Sequence, residues 1–236
     1  LSLQNGDSIT ADAVKFGGGM GSVTGIKPMI YKHSVLVPSV SGYPRYTEGA
    51  RYWLQWAGVP DSVYSRTKNT DHYSDDFQSR GFWVNYLRKG LGIPIDLAFA
   101  FHTDAGIRPG DSIIGTLGIC TVNNSKGDSV YDNGISRWAG RDMVDLIQTQ
   151  IVNDIRAGFR SDWTRRGIWN RSYSESRVPE VPTMLLELLS HQNFEDMKYG
   201  LDPGFRFTVS RSIYKGMLKY LAASHQQDYI VQPLPV

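Results

Sequence analysis

Two apolar stretches, each carrying an ionisable residue, constrain the fold of this chain more than any other feature. Residues 97–101 form an unbroken apolar run of strand length that stops at His102, and residues 183–189 form a second run that carries Glu187 among leucines. Continuous apolar runs are typical of strands covered on both faces, as in an α/β sheet. Because the carboxyl ends of parallel strands face the ligand crevice, the two runs predict that His102 and Glu187 converge on one site.

Helical patterns separate these strands. Residues 141–159 repeat apolar side chains at helical spacing, and Asp202-Pro203 is a strong start for a helix that runs to about residue 222. Two further helices are predicted at 48–57, with Thr47 as N-cap and Gly58 as stop, and at 75–87. Residues 62–65 and 111–120 read as strands, and 24–43 as a long surface loop. Alternating strands and helices predict an α/β domain of three layers, with a largely parallel central sheet flanked by helices.

Composition narrows the possible partners. The 236 residues include 25 basic and 23 acidic side chains, a net charge of +2, which makes no electrostatic case for nucleic acid or an anionic membrane surface. No apolar run approaches the length of a membrane span. The sole cysteine, Cys120, rules out an internal disulfide and a cysteine-only metal site, and its apolar context predicts a buried, inert thiol. Because the chain begins at Leu1, we expect part of the fold to lie upstream.

Several short motifs occur in an order that resembles the zinc-dependent N-acetylmuramoyl-L-alanine amidases, which cut peptidoglycan between the sugar and the stem peptide. The match runs from about Glu48 to Leu221 and implies the same α/β fold. Its pieces are E-x-x-R-Y-W-L-x-x-A-G from Glu48, Y-S-R at 64–66, R-x-x-x-V-N at 80–85, F-H-T-D-A at 101–105, R-G-I at 166–168 and V-P-T-M-L-L-E at 181–187.

The beginning of the chain resembles a narrower group, bacterial proteins labelled golvesin-like or xanthan lyase, in which a β-rich domain interrupts an amidase-like domain. The matching segments are F-G-G-G-M-G at 16–21 and S-G-Y-P-R-Y-T-E-G-A-R-Y-W-L-Q at 41–55. This resemblance implies that residues 1–16 are the tail of the inserted domain, 17–45 a junction loop and 46–236 the amidase-like domain. The first strand, with the histidine that the family carries in a G-H-G-G turn, would then lie upstream, in a part of the same gene product that could be a separate chain.

The resemblance implies roles for three residues. His102 and Glu48 would bind one zinc ion, completed by a histidine from outside this chain, and Glu187 would be the general base for water activated by the metal. Each residue has a structural alternative. His102 could be a core histidine bonded to a backbone carbonyl, Glu187 a buried carboxylate paired with an arginine such as Arg177, and Glu48 a helix N-terminal glutamate favoured by the macrodipole.

Three further residues are candidates for contacting substrate or orienting a ligand. Asp104 stands where the family has asparagine, so a turn residue is the alternative there. His191 follows Glu187 by four residues, at the predicted crevice edge, and a solvated loop histidine is its alternative. Arg177 is the third candidate.

The sequence therefore predicts a zinc-dependent hydrolase of amide bonds in cell-wall peptidoglycan or a related glycopeptide, working outside the cytoplasm in the periplasm, at the cell surface or after secretion. Two alternatives stay open. A catalytically silent carbohydrate-binding or scaffold protein on the same fold would use the abundant Trp and Tyr residues for sugar stacking. A polysaccharide lyase is suggested by the label of the narrower group alone.

Overall fold

The computed structural model describes residues 29–31, 34–36, 44–108, 110 and 112–231. Contacts divide the chain into two units, Leu1–Gly92 and Ile93–Val236. The predicted domain tail at 1–16 and the glycine run at 17–21 lie outside the described residues, so the domain boundaries stay predictions. None of the helices in the described ranges is long and apolar enough to cross a membrane.

The first unit is mainly helical. Strand β1 (Met29–Tyr31) pairs antiparallel with β2 (Ser34–Leu36), so part of the predicted 24–43 loop forms two short paired strands. A 3-10 turn (Arg45–Thr47) leads into α1 (Ala50–Trp56), and α2 (Asp61–Tyr64) follows. Helix α3 (His72–Asn85) then continues into one π-helical turn, Tyr86–Gly90.

Two local predictions in this unit are wrong. The N-cap of α1 is Gly49, because Thr47 ends the 3-10 turn and its hydroxyl donates to the carbonyl of Pro44 at 2.7 Å. The strand predicted at 62–65 is the helix α2, which starts directly after Pro60, where the fixed φ of proline suits entry into a helical turn. The predicted stop of α1 is confirmed, since Gly58 adopts the left-handed φ of +75° that favours glycine.

The second unit contains a four-stranded sheet in the order β3-β6-β4-β5. The strands are β3 (Ala98–Asp104), β4 (Leu117–Cys120), β5 (Trp169–Asn170) and β6 (Thr183–Ser190). The pairs β3–β6 and β4–β5 are parallel, and β4–β6 is antiparallel. The strand predicted at 111–120 is shorter than expected, because β4 covers only Leu117–Cys120. The α/β class with a largely parallel sheet flanked by helices is confirmed.

Helices cover both faces of this sheet. Helix α4 (Trp138–Gly158) packs on β4 and β6, and α7 (Pro203–Ser224) packs on α4. The one-turn helix α5 (Ser174–Arg177) contacts β6 and β4, and α6 (Phe194–Gly200) follows β6. Asp202 caps α7 by accepting from the N–H of Phe205, as its sequence predicts.

The main core lies between the sheet and α4. Val144, Ile147, Ile151 and Ile155 are fully buried, so the helical periodicity of α4 correctly identifies its core face. Gly216 of α7 lets the two helices approach closely, because a Cβ there would lie 2.7 Å from Cα of Ile147. Burial of this apolar surface is the main source of stability for the second unit.

A charged cluster ties α7 to α4, and it makes stability depend on pH. Oδ2 of Asp154 accepts hydrogen bonds from Lys215 at 2.6 Å, Ser212 at 2.7 Å and Gln150 at 2.9 Å. Burial alone would raise the pKa of Asp154, but these hydrogen bonds outweigh it and hold that pKa below its ordinary value. The contribution is therefore complete above the unfolded-state pKa of about 3.9 and is lost as pH falls through the lower folded-state pKa.

We expect Asp154→Asn to lower the free energy of unfolding at pH 7 by about 1–2 kcal/mol, since a charge-assisted acceptor is lost. The difference from the parent protein should shrink as the pH falls below about 3.9, the unfolded-state pKa. Urea unfolding at several pH values measures both effects. The control is Asp142→Asn, whose side chain is 65% exposed and which should change little. An Asp154→Asn deficit that does not vary with pH would contradict this assignment.

Candidate functional site

The site is built where β3 and β6 end side by side. The parallel register pairs Ala98 with Thr183 at one end and His102 with Glu187 near the other. Beyond that point the register shifts, so that Asp104 pairs with Ser190. The convergence of the two apolar runs predicted from the sequence is therefore present, with His102 and Glu187 as direct neighbours on one face of the sheet.

This face is the one turned away from α4. In β4, Leu117 pairs with Glu187 and Gly118 with Leu186. Gly118 faces α4, since a Cβ there would lie 2.4 Å from Cγ1 of Val144. Side chains alternate along strands, so Leu117 and Glu187 point to the opposite face.

Glu187 sits in a setting that favours its neutral form. Its Oε2 is buried and has no hydrogen-bond partner among the described residues. Burial raises the pKa of Glu187 above its ordinary value, the charge of His102 opposes that shift, and the carboxylates of Asp104 and Glu175 reinforce it. A half-buried carboxyl group with a raised pKa binds a proton more readily than an exposed one, which marks Glu187 as a candidate for proton transfer.

Glu175 is a member of the site that sequence reasoning missed. It lies in α5, and its Oε2 is 2.8 Å from Nε2 of His102. A carboxylate against one ring nitrogen fixes the orientation of an imidazole. The alternative of His102 as a core histidine is not what the structure shows, since the side chain is 27% exposed and faces a carboxylate. No local signal marked Glu175, which sits in a polar stretch 73 positions after His102.

Asp104 is held in the ionised state by Arg166. The guanidinium Nη1 lies 2.6 Å from Oδ2 of Asp104, and the N–H of Ala105 donates to Oδ1 at 2.8 Å. Burial alone would raise the pKa of Asp104, but the hydrogen bonds from Arg166 and Ala105 and the charges of Arg166 and His191 lower it overall. The site thus pairs a carboxylate of lowered pKa with one of raised pKa on adjacent strands.

His191 lies at the edge of this cluster. Its N–H donates to the carbonyl of Asp104 at 2.9 Å, and Nδ1 is 3.1 Å from the hydroxyl of Thr103. The residue is exposed, which agrees with the predicted position at the crevice edge. Its role in substrate contact stays a prediction.

Arg177 does not pair with Glu187. Its Nη1 donates to the carbonyl and hydroxyl of Ser172, at 2.9 and 2.8 Å. The interpretation of Glu187 as the partner of Arg177 is therefore wrong, because a guanidinium tied to its own loop cannot supply the missing bond to Glu187. A substrate contact by Arg177 stays a prediction.

Glu48 belongs to the first unit. It lies in the turn between Thr47 and the α1 N-cap Gly49, outside the helix, so it is not the first-turn glutamate that the macrodipole would favour. Its Oε2 is buried and has no hydrogen-bond partner among the described residues. Its assignment as a metal ligand stays a prediction.

The cluster supplies only part of what a zinc ion needs. A catalytic zinc ion takes three protein ligands and leaves a position for water. His102 is a suitable donor, and the unbonded oxygen of Glu187 lies in the same cluster, but the described residues contain no group of three His, Cys, Asp or Glu side chains arranged to hold a metal. They do not by themselves fit a complete zinc site.

The fold and this cluster define the class that the structure shows. It is an α/β protein with an imidazole and two carboxyl groups of opposite pKa shift at the carboxyl edge of its sheet. No protein-family model matches the sequence, and no curated protein matches it.

Three solved structures to which this chain has a limited similarity are described as amidases. The N-acetylmuramoyl-L-alanine amidase from Clostridium difficile 630 is 16% identical with a TM-score of 0.48, over 67% of this chain and 70% of that one. The N-acetylmuramyl-L-alanine amidase Ami1 from Mycobacterium smegmatis is 14% identical with a TM-score of 0.49, over 89% and 93%. The amidase AmiC2 of Nostoc punctiforme is 14% identical with a TM-score of 0.45, over 78% and 88%. Values this low do not carry an activity from those proteins to this chain.

Proposed function

We propose that this protein hydrolyses amide bonds in bacterial cell-wall peptidoglycan or a related glycopeptide, outside the cytoplasm, with Glu187 as the general base. The observation that carries the proposal is the contrast between two carboxyl groups on neighbouring strands. Arg166 keeps Asp104 ionised, whereas burial raises the pKa of Glu187. Carboxyl groups whose environments separate their pKa values are a mark of acid–base catalysis. The order of motifs in the sequence supports the same class of substrate.

The chemistry assigned to Glu187 is a two-way proton transfer. Its carboxylate takes a proton from a water molecule whose oxygen attacks the amide carbonyl carbon. The protonated Glu187 then gives that proton to the amide nitrogen as the carbon–nitrogen bond breaks, so that the acid and the free amine leave. A raised pKa makes the Glu187 carboxylate a stronger base for the first of these steps. Among the described residues Oε2 has no hydrogen-bond partner, so in that part of the chain no bond to this oxygen has to be broken first.

Zinc is part of the proposal. We propose that His102 contributes one ligand, while the ligand roles of Glu48 and of a histidine outside this chain stay predictions. When bound, the ion would polarise the carbonyl and lower the pKa of water. Glu175, which contacts His102, would hold the ring in a fixed orientation for binding.

The direct test is digestion of purified peptidoglycan by this protein, with release of free amino groups measured over time. We expect amines to appear, together with about one zinc ion per molecule by elemental analysis. Absence of both amines and zinc would overturn the proposal. An unsaturated product that absorbs in the ultraviolet would point instead to a lyase.

A second candidate function has one observation in its favour. In the first unit, Tyr46 and Trp56 stack with ring centroids 4.8 Å apart, and Trp56 is 63% exposed. Exposed, rigid aromatic rings suit the apolar face of a sugar. We propose glycan binding without turnover as the alternative. It predicts that the parent protein binds peptidoglycan without cleaving it, that Glu187→Gln binds as well as the parent, and that Trp56→Ala binds less.

A further inference from the structure

A cavity of about 340 Å³ lies on the other face of the sheet from Glu187. Along β4, Gly118 faces α4, and alternation places Cys120 on that same face. Leu117, which pairs with Glu187, faces the opposite way. Because Cys120 lines the cavity, the cavity lies on the face of the sheet opposite to the candidate active site. The role of the cavity is therefore independent of the proposed function.

The lining combines an apolar floor with a polar rim. Cys120 is 1% exposed, and burial raises the pKa of its thiol, so the floor is a neutral, unreactive surface. This confirms the buried thiol predicted from the sequence. The rim carries an exposed indole, two guanidinium groups, a carboxylate and an amide, from Trp138, Arg141, Asp145, Arg165 and Asn170.

The two arginines have hydrogen-bonding capacity to spare. Nη2 of Arg165 bonds to Asp145 at 2.6 Å and to Thr149 at 3.3 Å, whereas its Nε and Nη1 have no hydrogen-bond acceptor among the described residues. Arg141 makes a single long contact, 3.4 Å to its neighbour Asp142, and its side chain is 43% exposed. The cavity therefore presents two guanidinium groups with N–H donors that can bind an acceptor on a ligand.

The remaining rim groups indicate a ligand that has polar and apolar parts in addition to its negative charge. Oδ1 of Asn170 accepts from the N–H of Val122 at 3.2 Å, which leaves its amide N–H groups without an acceptor in the described part of the chain. Trp138 is 56% exposed and offers an apolar ring face. Asp145, paired with Arg165, keeps lone pairs for a hydroxyl or N–H donor.

We propose that this cavity binds a small carboxylate whose body carries hydroxyl or amide groups, of the size of a sugar acid or a dipeptide. A guanidinium group matches a carboxylate in charge and in the geometry of its donors. The indole covers the ring or aliphatic part of the ligand, and Asn170 and Asp145 satisfy its polar groups. The cavity volume falls within the range of small-molecule sites.

The test is a titration followed by ¹H–¹⁵N NMR of the tryptophan indoles, with the Trp138 signal assigned from Trp138→Phe. The probes are N-acetylmuramic acid and alanyl-alanine, and their matched neutral analogues are N-acetylglucosamine and alanyl-alanine amide. We expect at least one acid to shift the Trp138 signal and to bind about tenfold more tightly than its neutral analogue. Which acid binds identifies the source of the carboxylate.

Variants then assign the binding to the two arginines. Arg141→Gln and Arg165→Gln should each weaken binding about tenfold, and Arg206→Gln, an exposed arginine of α7, should not change it. Arg141 is half-exposed, so its variant keeps the test valid if Arg165→Gln fails to fold. Equal binding of acid and neutral analogue, loss of affinity in Arg206→Gln alone, or equal binding of inorganic phosphate would overturn the proposal.

Discussion

We expect Glu187→Gln to reduce the rate of amine release in the proposed hydrolysis of peptidoglycan by about 10²–10⁴-fold, the usual contribution of a general base. Glutamine has the same shape but cannot take a proton from water. Initial rates of amine release at pH 7 measure the effect. The matched control is Glu195→Gln, a glutamate of α6 paired with Lys198 and Arg160, which should leave the rate unchanged.

The same substitution should not harm stability. Oε2 of Glu187 is buried without a hydrogen bond, so the charged form is stabilised by few contacts within the described fold. We expect Glu187→Gln to unfold at the same urea concentration as the parent or at a higher one, as is common when a residue serves activity at the expense of stability. A variant that keeps full activity would remove Glu187 from the mechanism, and one that loses activity by unfolding would assign it a structural role.

Asp196→Ala will produce the largest loss of stability that we predict, at least about 3 kcal/mol in the free energy of unfolding. Asp196 is fully buried and accepts from the backbone N–H groups of Ile114 at 3.0 Å, Gly115 at 3.2 Å and Ser190 at 2.8 Å. Each buried N–H left without an acceptor costs about 1–3 kcal/mol. Urea unfolding measures the difference.

Asp202→Asn is the matched control for Asp196→Ala. Asp202 accepts from one N–H as the N-cap of α7, and asparagine is as good a cap as aspartate, so this variant should stay within about 0.5 kcal/mol of the parent. Asp196 also fixes the end of β6, and the Ser190 hydroxyl next to it accepts from the N–H of Gly106 at 2.9 Å. An unfolding midpoint of Asp196→Ala equal to that of the parent would show that the loop after β3 is held by other contacts.

Local sequence patterns predicted the elements that carry a strong period or an explicit start. Helix α4 has four buried aliphatic residues at helical spacing, and α7 starts at Asp202-Pro203. The apolar runs of β3 and β6 marked two neighbouring strands. The strand prediction for residues 62–65 was wrong because this short segment has no hydrophobic periodicity. A helical turn begins there directly after Pro60.

The residue types of the site could be read from the chain, but their arrangement could not. An imidazole at the end of one apolar run and a carboxylate within another pointed to His102 and Glu187, since charged groups in such runs are costly without a purpose. Glu175 and Arg166 do not lie in or next to an apolar run, so this signal could not identify them. They occupy polar stretches, and they reach the site because the fold brings α5 and the segment before β5 to the ends of β3 and β6.

By itself, the sequence determined the α/β class, the two strands that bear His102 and Glu187, and the helix that covers the opposite face, because hydrophobic period and strand-end chemistry are local properties. Only the tertiary structure decided the parallel register that makes these two residues neighbours, the ion pair that separates the pKa values of Asp104 and Glu187, and the donor-rich cavity beside Cys120. Those features depend on distances between residues far apart in the chain, which burial of the common core sets and which no local pattern encodes.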